Sequence, residues 1–141
     1  MTRGPLFKND YRHQFSGHET FPLRYGWLKK AYDAISASKS EAENKAVFGD
    51  EAIARFGVGK NMVASIRHWA STIGIIDETE GPGKTCTTEL GDMFFGDSGL
   101  DPYMEHPTTM WLVHWQLAAH DQKTTWFWAF NHYPGTTFDR D

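Results

Sequence analysis

The sequence is poor in the features that mark secreted, membrane and zinc-binding proteins. Cys86 is the one cysteine among 141 residues, which excludes a disulfide framework and a cysteine-based zinc site and fits a reducing compartment. The chain has no run of about 18 apolar residues, and its N-terminal region lacks the apolar segment of a signal peptide. We therefore predict a soluble, cytoplasmic protein that has no contact with a membrane.

The chain also lacks an overall positive charge, since its formal net charge is −4. The charge is unevenly distributed, however. Residues 1–30 contain six basic side chains against two acidic ones, a net +4, whereas residues 73–141 contain eleven acidic against three basic, a net −8. The N-terminal half can therefore present a basic surface to a polyanion. The alternative is a weakly basic, solvated arm without a ligand.

Residues 51–72 have the pattern of a helix-turn-helix. We predict a first helix over 51–56, a turn at Gly57-Val58-Gly59, and a second helix from Lys60 to about residue 72. Gly57 can adopt the positive φ that ends one helix and redirects the chain into the next. The apolar residues on either side of this turn have the spacing with which two short helices bury a shared surface.

A β-hairpin is predicted to follow. Ile75 and Ile76 begin a strand, residues 81–84 have the composition of a turn, and residues 85–88 return as a second strand. This order predicts a mainly α fold with a small β-hairpin, a winged helix-turn-helix, which most often binds nucleic acid. We expect three segments: an N-terminal arm (1–22), the winged helix-turn-helix (23–96) and an aromatic-rich helical extension (97–141). The second segment should begin with a helix from about Leu23 to Ile35, followed by a polar connection over 39–44, and Gly74 should end the second helix of the helix-turn-helix.

The second helix of this unit has two distinct faces. At 3.6 residues per turn, Val63, Ile66, Ala70 and Ile73 form an apolar stripe with Trp69 beside it. The opposite face has the short, polar and basic side chains that a helix in a DNA major groove needs. The predicted DNA-binding residues on this helix, in the arm region and at the hairpin turn are Arg12, Arg24, Lys60, Asn61, Ser65, Arg67, His68 and Lys84. The hairpin itself is acidic, with Asp77, Glu78 and Glu80.

A compact group of reactive side chains lies in the first 30 residues. His18 and Glu19 are adjacent and Tyr25 follows, which makes these three the candidates for catalysis. The alternative is structural: Phe15 and Phe21 anchor the segment on the core, and His18 and Glu19 satisfy local backbone hydrogen bonds.

The C-terminal third predicts two strongly apolar helices, over 110–120 and 125–133. A helix that is apolar on every side is normally buried, so the excess surface should pack beneath the N-terminal helix, in a homodimer interface or against further chain. The histidines of this region lack the i,i+4 spacing with a nearby carboxylate that marks a metal site. We predict no metal site and no cofactor within these residues.

Three segments resemble a known family. Residues 15–28 (FSGHETFPLRYGWL), residues 56–63 (FGVGKNMV) and Arg67-His68-Trp69 are similar to the beginning of the SspB-type proteins of bacterial DNA phosphorothioation, long catalogued as a domain of unknown function. The similarity extends from about residue 13 to the end of the chain. Family members are longer, so the resemblance implies that this chain is an N-terminal part.

The resemblance implies a role in phosphorothioation-linked phage defence. There, a protein of this type nicks DNA and works with a desulfurase, an ATPase and a sulfur-inserting enzyme, and the full-length enzyme could use a divalent metal. No nickase residue can be carried over onto this sequence. We expect a DNA-binding module of such a nickase, with double-stranded DNA and the other components of the system as partners.

Two other functions stay open. The first is a protein–protein adaptor of the modification complex that does not touch DNA. The second is a self-contained nuclease, which the sequence disfavours because its acidic residues are not gathered near basic ones at metal-binding spacing.

Overall fold

The computed structural model describes residues 4–139 and is mainly helical, with one small antiparallel sheet. This confirms the predicted mainly α fold with a small β-hairpin. After a 3₁₀ helix at Pro5–Phe7, the elements in chain order are α1 (Trp27–Ser36), α2 (Glu41–Ala46), α3 (Ala52–Phe56), α4 (Lys60–Ile73), β1 (Ile76–Asp77), β2 (Cys86–Thr87), α5 (Glu89–Phe95), α6 (Pro107–Ala119) and α7 (Thr124–Asn131). Arg3, which contributes to the N-terminal charge, lies outside the described residues.

Helices α1 and α4 pack against each other at the centre of the core. Each buries one stripe at helical spacing, as amphipathic helices do. The buried stripe of α4 is the predicted one, which confirms the phase assigned to this helix. The buried residues of the two helices are Trp27, Leu28, Ala31, Tyr32 and Ile35 on α1, and Val63, Ile66, Trp69, Ala70 and Ile73 on α4.

The beginning of α1 differs from prediction. The helix starts at Trp27, four residues later than expected, because Gly26 has a left-handed conformation with φ of 78° and interrupts the backbone before it. The predicted polar connection over 39–44 is also wrong, because α2 occupies most of it. The Ser40 hydroxyl accepts a hydrogen bond from the Glu43 amide at 3.2 Å and so caps α2.

The turn between α3 and α4 has the predicted geometry. Gly57 has φ of 66°, a left-handed conformation that glycine adopts at little cost. Its amide donates to the Ile53 carbonyl at 2.9 Å. The Lys30 ammonium of α1 donates to the Phe56 carbonyl at 2.7 Å and fixes the end of α3 against α1. The start of α4 is thereby held in one position.

The hairpin after α4 is shorter than predicted. Ile76 pairs with Thr87 and Asp77 with Cys86, and each strand has only two residues. The Asn44 side chain of α2 anchors the returning strand, because its amide donates to the Thr85 carbonyl at 2.8 Å and its oxygen accepts from the Thr85 amide at 3.0 Å. The hairpin is therefore fixed against α2.

Helices α6 and α7 pack on each other but bury little of their apolar surface. On α6, Val113 and Leu117 are buried, whereas Trp111 is 71% exposed and Trp115 64% exposed. The expected burial of these helices is therefore only partial. No helix among residues 4–139 is long and apolar enough to cross a membrane.

The N-terminal arm packs on the beginning of α7, although the two are far apart in sequence. The Thr124 hydroxyl accepts a hydrogen bond from the Gln14 amide at 2.8 Å and lies 2.9 Å from the Tyr11 hydroxyl. The Thr124 amide donates to the Gln14 carbonyl at 3.2 Å. These bonds bring the arm and Lys123 to the same edge of α4.

Candidate nucleic-acid interface

A groove of about 440 Å³ runs along the outward side of α4, and we call it the α4 groove. Its cationic side chains are Lys60, Arg67 and Lys123, and its acidic ones are Asp50 and Glu78. The groove is bounded by the loop before α3, by the hairpin and by the N-terminal arm. It therefore has a small local excess of positive charge, on a chain whose net charge is negative.

The first turn of α4 is the most accessible part of this surface. Lys60 and Asn61 are exposed, as predicted, and Ala64 one turn later is exposed as well. Gly59 precedes the helix and offers no side-chain cap, so the first amides of α4 point outward without an intrahelical acceptor. Free amides and a lysine at a helix N-terminus favour an anion.

Arg67 is held by the hairpin. Its Nε donates to Glu78 Oε1 at 2.6 Å, and its guanidinium lies 5.9 Å from the centre of the Phe48 ring. The rest of the guanidinium stays accessible, because the Arg67 side chain is 54% exposed. Glu78 thus orients Arg67 toward the groove and also neutralises part of its charge.

Ser65 does not face outward, and this expectation is wrong. Its exposure is 0%, and its hydroxyl lies 3.5 Å from the carbonyl oxygen of Phe21. The same carbonyl accepts a hydrogen bond from Trp69 Nε1 at 3.0 Å. The arm therefore covers this side of α4 and makes its outward face narrower than helical periodicity alone predicts.

His68 is half-buried rather than exposed. Gly17 of the arm has φ of +122°, and a Cβ at that position would lie 2.5 Å from His68 Nδ1. Burial, with smaller effects of Lys123 and His18, lowers the pKa of His68 to about 4. The ring is therefore neutral at pH 7 and does not contribute a positive charge to the groove.

The three catalytic candidates do not form a cluster. The His18 ring stacks on Trp69, with ring centres 5.8 Å apart, whereas Glu19 is exposed and Tyr25 is 72% exposed. Within residues 4–139, no hydrogen bond joins these three side chains. His18 Nδ1 is buried and has no hydrogen-bond partner within residues 4–139. Phe15 is 65% exposed and does not anchor the arm, whereas Phe21 packs against the core.

The remaining predicted DNA-binding residues are exposed but lie outside the lining of the α4 groove. Arg24 is placed over the rings of Phe21 and Trp27, at 5.7 and 5.8 Å. Arg12 belongs to the arm and Lys84 to the hairpin turn. Sequence reasoning missed Lys123, because a residue 55 positions after His68 gives no local signal of its proximity.

No metal centre is visible in the described residues. Between residues 4 and 139, no group of three or more histidine, cysteine, aspartate or glutamate side chains is arranged to hold a metal ion. Among the described residues, two acidic side chains line the α4 groove, and one of them, Glu78, is paired with Arg67. The arrangement thus suits the binding of an anion better than metal-assisted hydrolysis.

A family model described as "Protein of unknown function (DUF4007)" matches residues 15–141. The chain belongs to this family. Among solved structures it is similar to "Magnesium ion-bound SspB crystal structure", with a TM-score of 0.62 and 34% identity over 76% of this chain and 31% of that one. It is also similar to "SspB crystal structure", with a TM-score of 0.59 and 33% identity over 75% of this chain and 32% of that one. No curated protein matches.

These matches identify an SspB-like chain of the DUF4007 family. The matched part corresponds to about a third of the length of the solved SspB chains. The predicted resemblance to SspB-type proteins is confirmed to this extent.

Proposed function

We propose that the chain is a DNA-binding module whose helix α4 enters the major groove of a duplex. The observation that supports this most is the α4 groove, in which Lys60, Arg67 and Lys123 line one accessible side of a helix that follows a tight turn. In this proposal α3 and α4 form the helix-turn-helix and β1 and β2 form the wing of a winged helix.

The chemistry of the groove favours phosphate contacts over base contacts. Lys60 and Arg67 are cations able to bind phosphate oxygens, whereas Asn61 is the exposed amide able to contact a base edge. Ala64 allows close approach of the helix to the duplex. Asp77 and Glu80 remain on the hairpin and repel phosphate, so the wing would contact DNA through Lys84 and the turn.

We extend the proposal to the whole protein through the SspB-like matches. The chain would serve as the DNA-binding part of a cytoplasmic nickase in phosphorothioation-linked phage defence, together with the other components of that system. One of the similar structures is described as a magnesium-bound SspB. The residues described here do not offer a magnesium site, so the proposal places no hydrolytic step on them.

A second candidate function is a protein–protein adaptor. The exposed apolar face of α6 favours it, because Met110, Trp111 and Trp115 are each at least half exposed on one helix. Exposed aromatic residues are enriched in protein interfaces. A homodimer formed through this face is the simplest version of the adaptor, and it is compatible with DNA binding on α4.

The deciding experiment measures duplex binding across a salt series. With about four to six phosphates neutralised, affinity should fall by about two to four decades from low to moderately high salt. Lys60→Met should weaken binding and make the salt dependence shallower by about one phosphate. Lys39→Met is the matched control, because Lys39 is exposed in the loop before α2 and does not line the groove. An affinity independent of salt, or no binding at low salt, favours the adaptor.

A further inference from the structure

A second, smaller cavity lies between the N-terminal arm, α4 and the start of α7. We call it the arm pocket; its volume is about 140 Å³. Trp69, Trp126 and His18 form aromatic walls, and His68 and Lys123 form a basic side. Gln14, His68 and Lys123 also line the α4 groove, so the two cavities share one edge.

The arm pocket is lined by one cation and two imidazoles. These are Lys123, His18 and His68, and within residues 4–139 no aspartate or glutamate lines it. In the same range none of these three side chains has a hydrogen-bond or ion-pair partner, although other surface lysines pair with carboxylates one helical turn away. An unpaired ammonium and unpaired ring nitrogens that are partly removed from water are unfavourable unless an anion completes the site.

His18 gives a second indication of a ligand site in the arm pocket. Its Nδ1 is buried and has no hydrogen-bond partner within the described residues, although buried polar atoms in proteins are almost always paired. Its ring is fixed between two neighbours, stacked on Trp69 and edge-on to His68 at 6.0 Å. Because His18 lines the arm pocket, an oxygen atom bound there would supply a partner for this nitrogen.

The pocket is held in shape by contacts independent of any ligand. Hydrogen bonds between the arm and Thr124 place Gln14 and Lys123 side by side. Gly17 brings the arm against the His68 ring more closely than any residue with a Cβ could. A site whose geometry exists before binding avoids much of the ordering cost of association.

We infer that the arm pocket binds one phosphate group, held by Lys123 together with the imidazoles of His18 and His68. Because the pocket shares His68 and Lys123 with the α4 groove, the phosphate is one of a DNA strand that lies in that groove. This second statement depends on the proposed DNA-binding function, whereas the first does not. The aromatic walls lower the local dielectric constant, which strengthens the attraction between phosphate and the Lys123 ammonium.

The first experiment uses inorganic phosphate as the probe on the whole 141-residue chain. Histidine ring signals in NMR spectra and tryptophan fluorescence report on the pocket, because His18, His68, Trp69 and Trp126 all line it. We expect saturable changes, with a dissociation constant on the order of millimolar, that chloride at equal ionic strength does not cause. Lys123→Met should weaken phosphate binding about tenfold or more, as expected for loss of a charge-assisted hydrogen bond.

Two variants make this result specific. Lys39→Met removes an exposed cation that lines neither the α4 groove nor the arm pocket, so phosphate binding should be unchanged. Gly17→Ala pushes against His68 and should weaken phosphate binding without removing a charge. Equal responses to phosphate and chloride, or a Lys123→Met chain that binds phosphate as well as the wild type, overturn the phosphate site.

The second experiment separates the pocket from the proposed function. Duplexes with and without a 5′-terminal phosphate are titrated into wild type and Lys123→Met, with inorganic phosphate as competitor. We expect Lys123→Met to weaken both duplexes equally, which assigns the pocket to an internal phosphate. An effect confined to the 5′-phosphorylated duplex overturns that assignment in favour of a strand end. Duplex binding that is insensitive to Lys123→Met and to inorganic phosphate overturns the placement of a DNA phosphate in the pocket, but not the DNA function. Binding of inorganic phosphate without binding of duplex overturns the DNA function, but not the phosphate site.

Discussion

Glu78→Gln should increase the affinity of the chain for duplex DNA. Glu78 Oε1 accepts the hydrogen bond from Arg67 Nε at 2.6 Å, and both side chains line the α4 groove. The substitution keeps an oxygen that can orient Arg67 and removes the negative charge that competes with phosphate. Exposed ion pairs contribute only about 0–1 kcal/mol to folding, so we expect little change in melting temperature.

The size of the effect follows from the contact that Arg67 becomes free to make. A charge-assisted hydrogen bond to phosphate, less the lost ion pair, leaves a net gain of about 1 kcal/mol, or about fivefold in affinity. One added phosphate contact steepens the salt slope by about 0.9, so the gain should be about three- to fourfold larger at about 50 mM than at about 200 mM salt. Fluorescence anisotropy with a labelled duplex at several salt concentrations measures both quantities.

Glu80→Gln is the matched control for this change. Glu80 belongs to the same hairpin and is exposed, and it has no ion pair with Arg67. If Glu80→Gln raises affinity as much as Glu78→Gln, the effect is one of overall charge and the argument from the ion pair fails. A Glu78→Gln chain that binds DNA no better than the wild type would show that Arg67 does not contact phosphate.

Three further predictions concern the core, the acid range and catalysis. Ile66→Ala should lower the free energy of unfolding by about 2–5 kcal/mol in denaturant titrations, because Ile66 is fully buried. Lys60→Ala should leave the melting temperature nearly unchanged. If Lys60→Ala destabilises the chain more than Ile66→Ala does, the assignment of buried and exposed faces on α4 is wrong. Because the folded-state pKa of His68 is about 4, below its ordinary value of 6.5, stability should be complete above about pH 6.5 and fall toward pH 4. The free energy of unfolding should fall by about 1–2 kcal/mol over this range, since solvent screens the half-exposed ring. His68→Gln should remove this pH dependence. A His68→Gln chain with the same pH profile as the wild type would contradict the low pKa assigned to His68. The purified chain should leave supercoiled plasmid intact with magnesium or manganese, and open-circle product that His18→Ala abolishes would place a nuclease site here.

The elements that the sequence predicted well depend on local physics. The phase of α4 follows from apolar residues three and four positions apart, and Ile66 and Trp69 are buried as that spacing requires. Gly57 ends α3 with a positive φ, and Gly74 ends α4 in the same way. These features need only neighbouring residues, so composition and periodicity were sufficient to find them.

The failed expectations depend on partners distant in sequence. Ser65 is polar and lies near the predicted outward face, yet the backbone of Phe21 covers it, 44 positions earlier. Lys123 joins His68 at the edge of α4 without any sequence pattern that connects them. The sequence therefore predicts the exposed residues Lys60, Asn61 and Arg67 of the candidate site. It does not predict the edge of the groove at which the arm and Lys123 meet α4. The start of α2 was an avoidable miss, because Ser40 and Glu43 have the spacing of a helix cap.

The pairing of the arm with α7 has a consequence for the order in which the protein is made. Gln14 and Thr124 are 110 positions apart, and the entropy cost of closing a loop rises with its length. During synthesis the arm leaves the ribosome early and has no partner until the residues around Thr124 follow. Helices α3 and α4, which contact each other locally, can pack well before then. The outward edge of α4 thus becomes complete only after α7 has emerged, and a chain interrupted before α7 would have α3 and α4 folded without the arm closed over them.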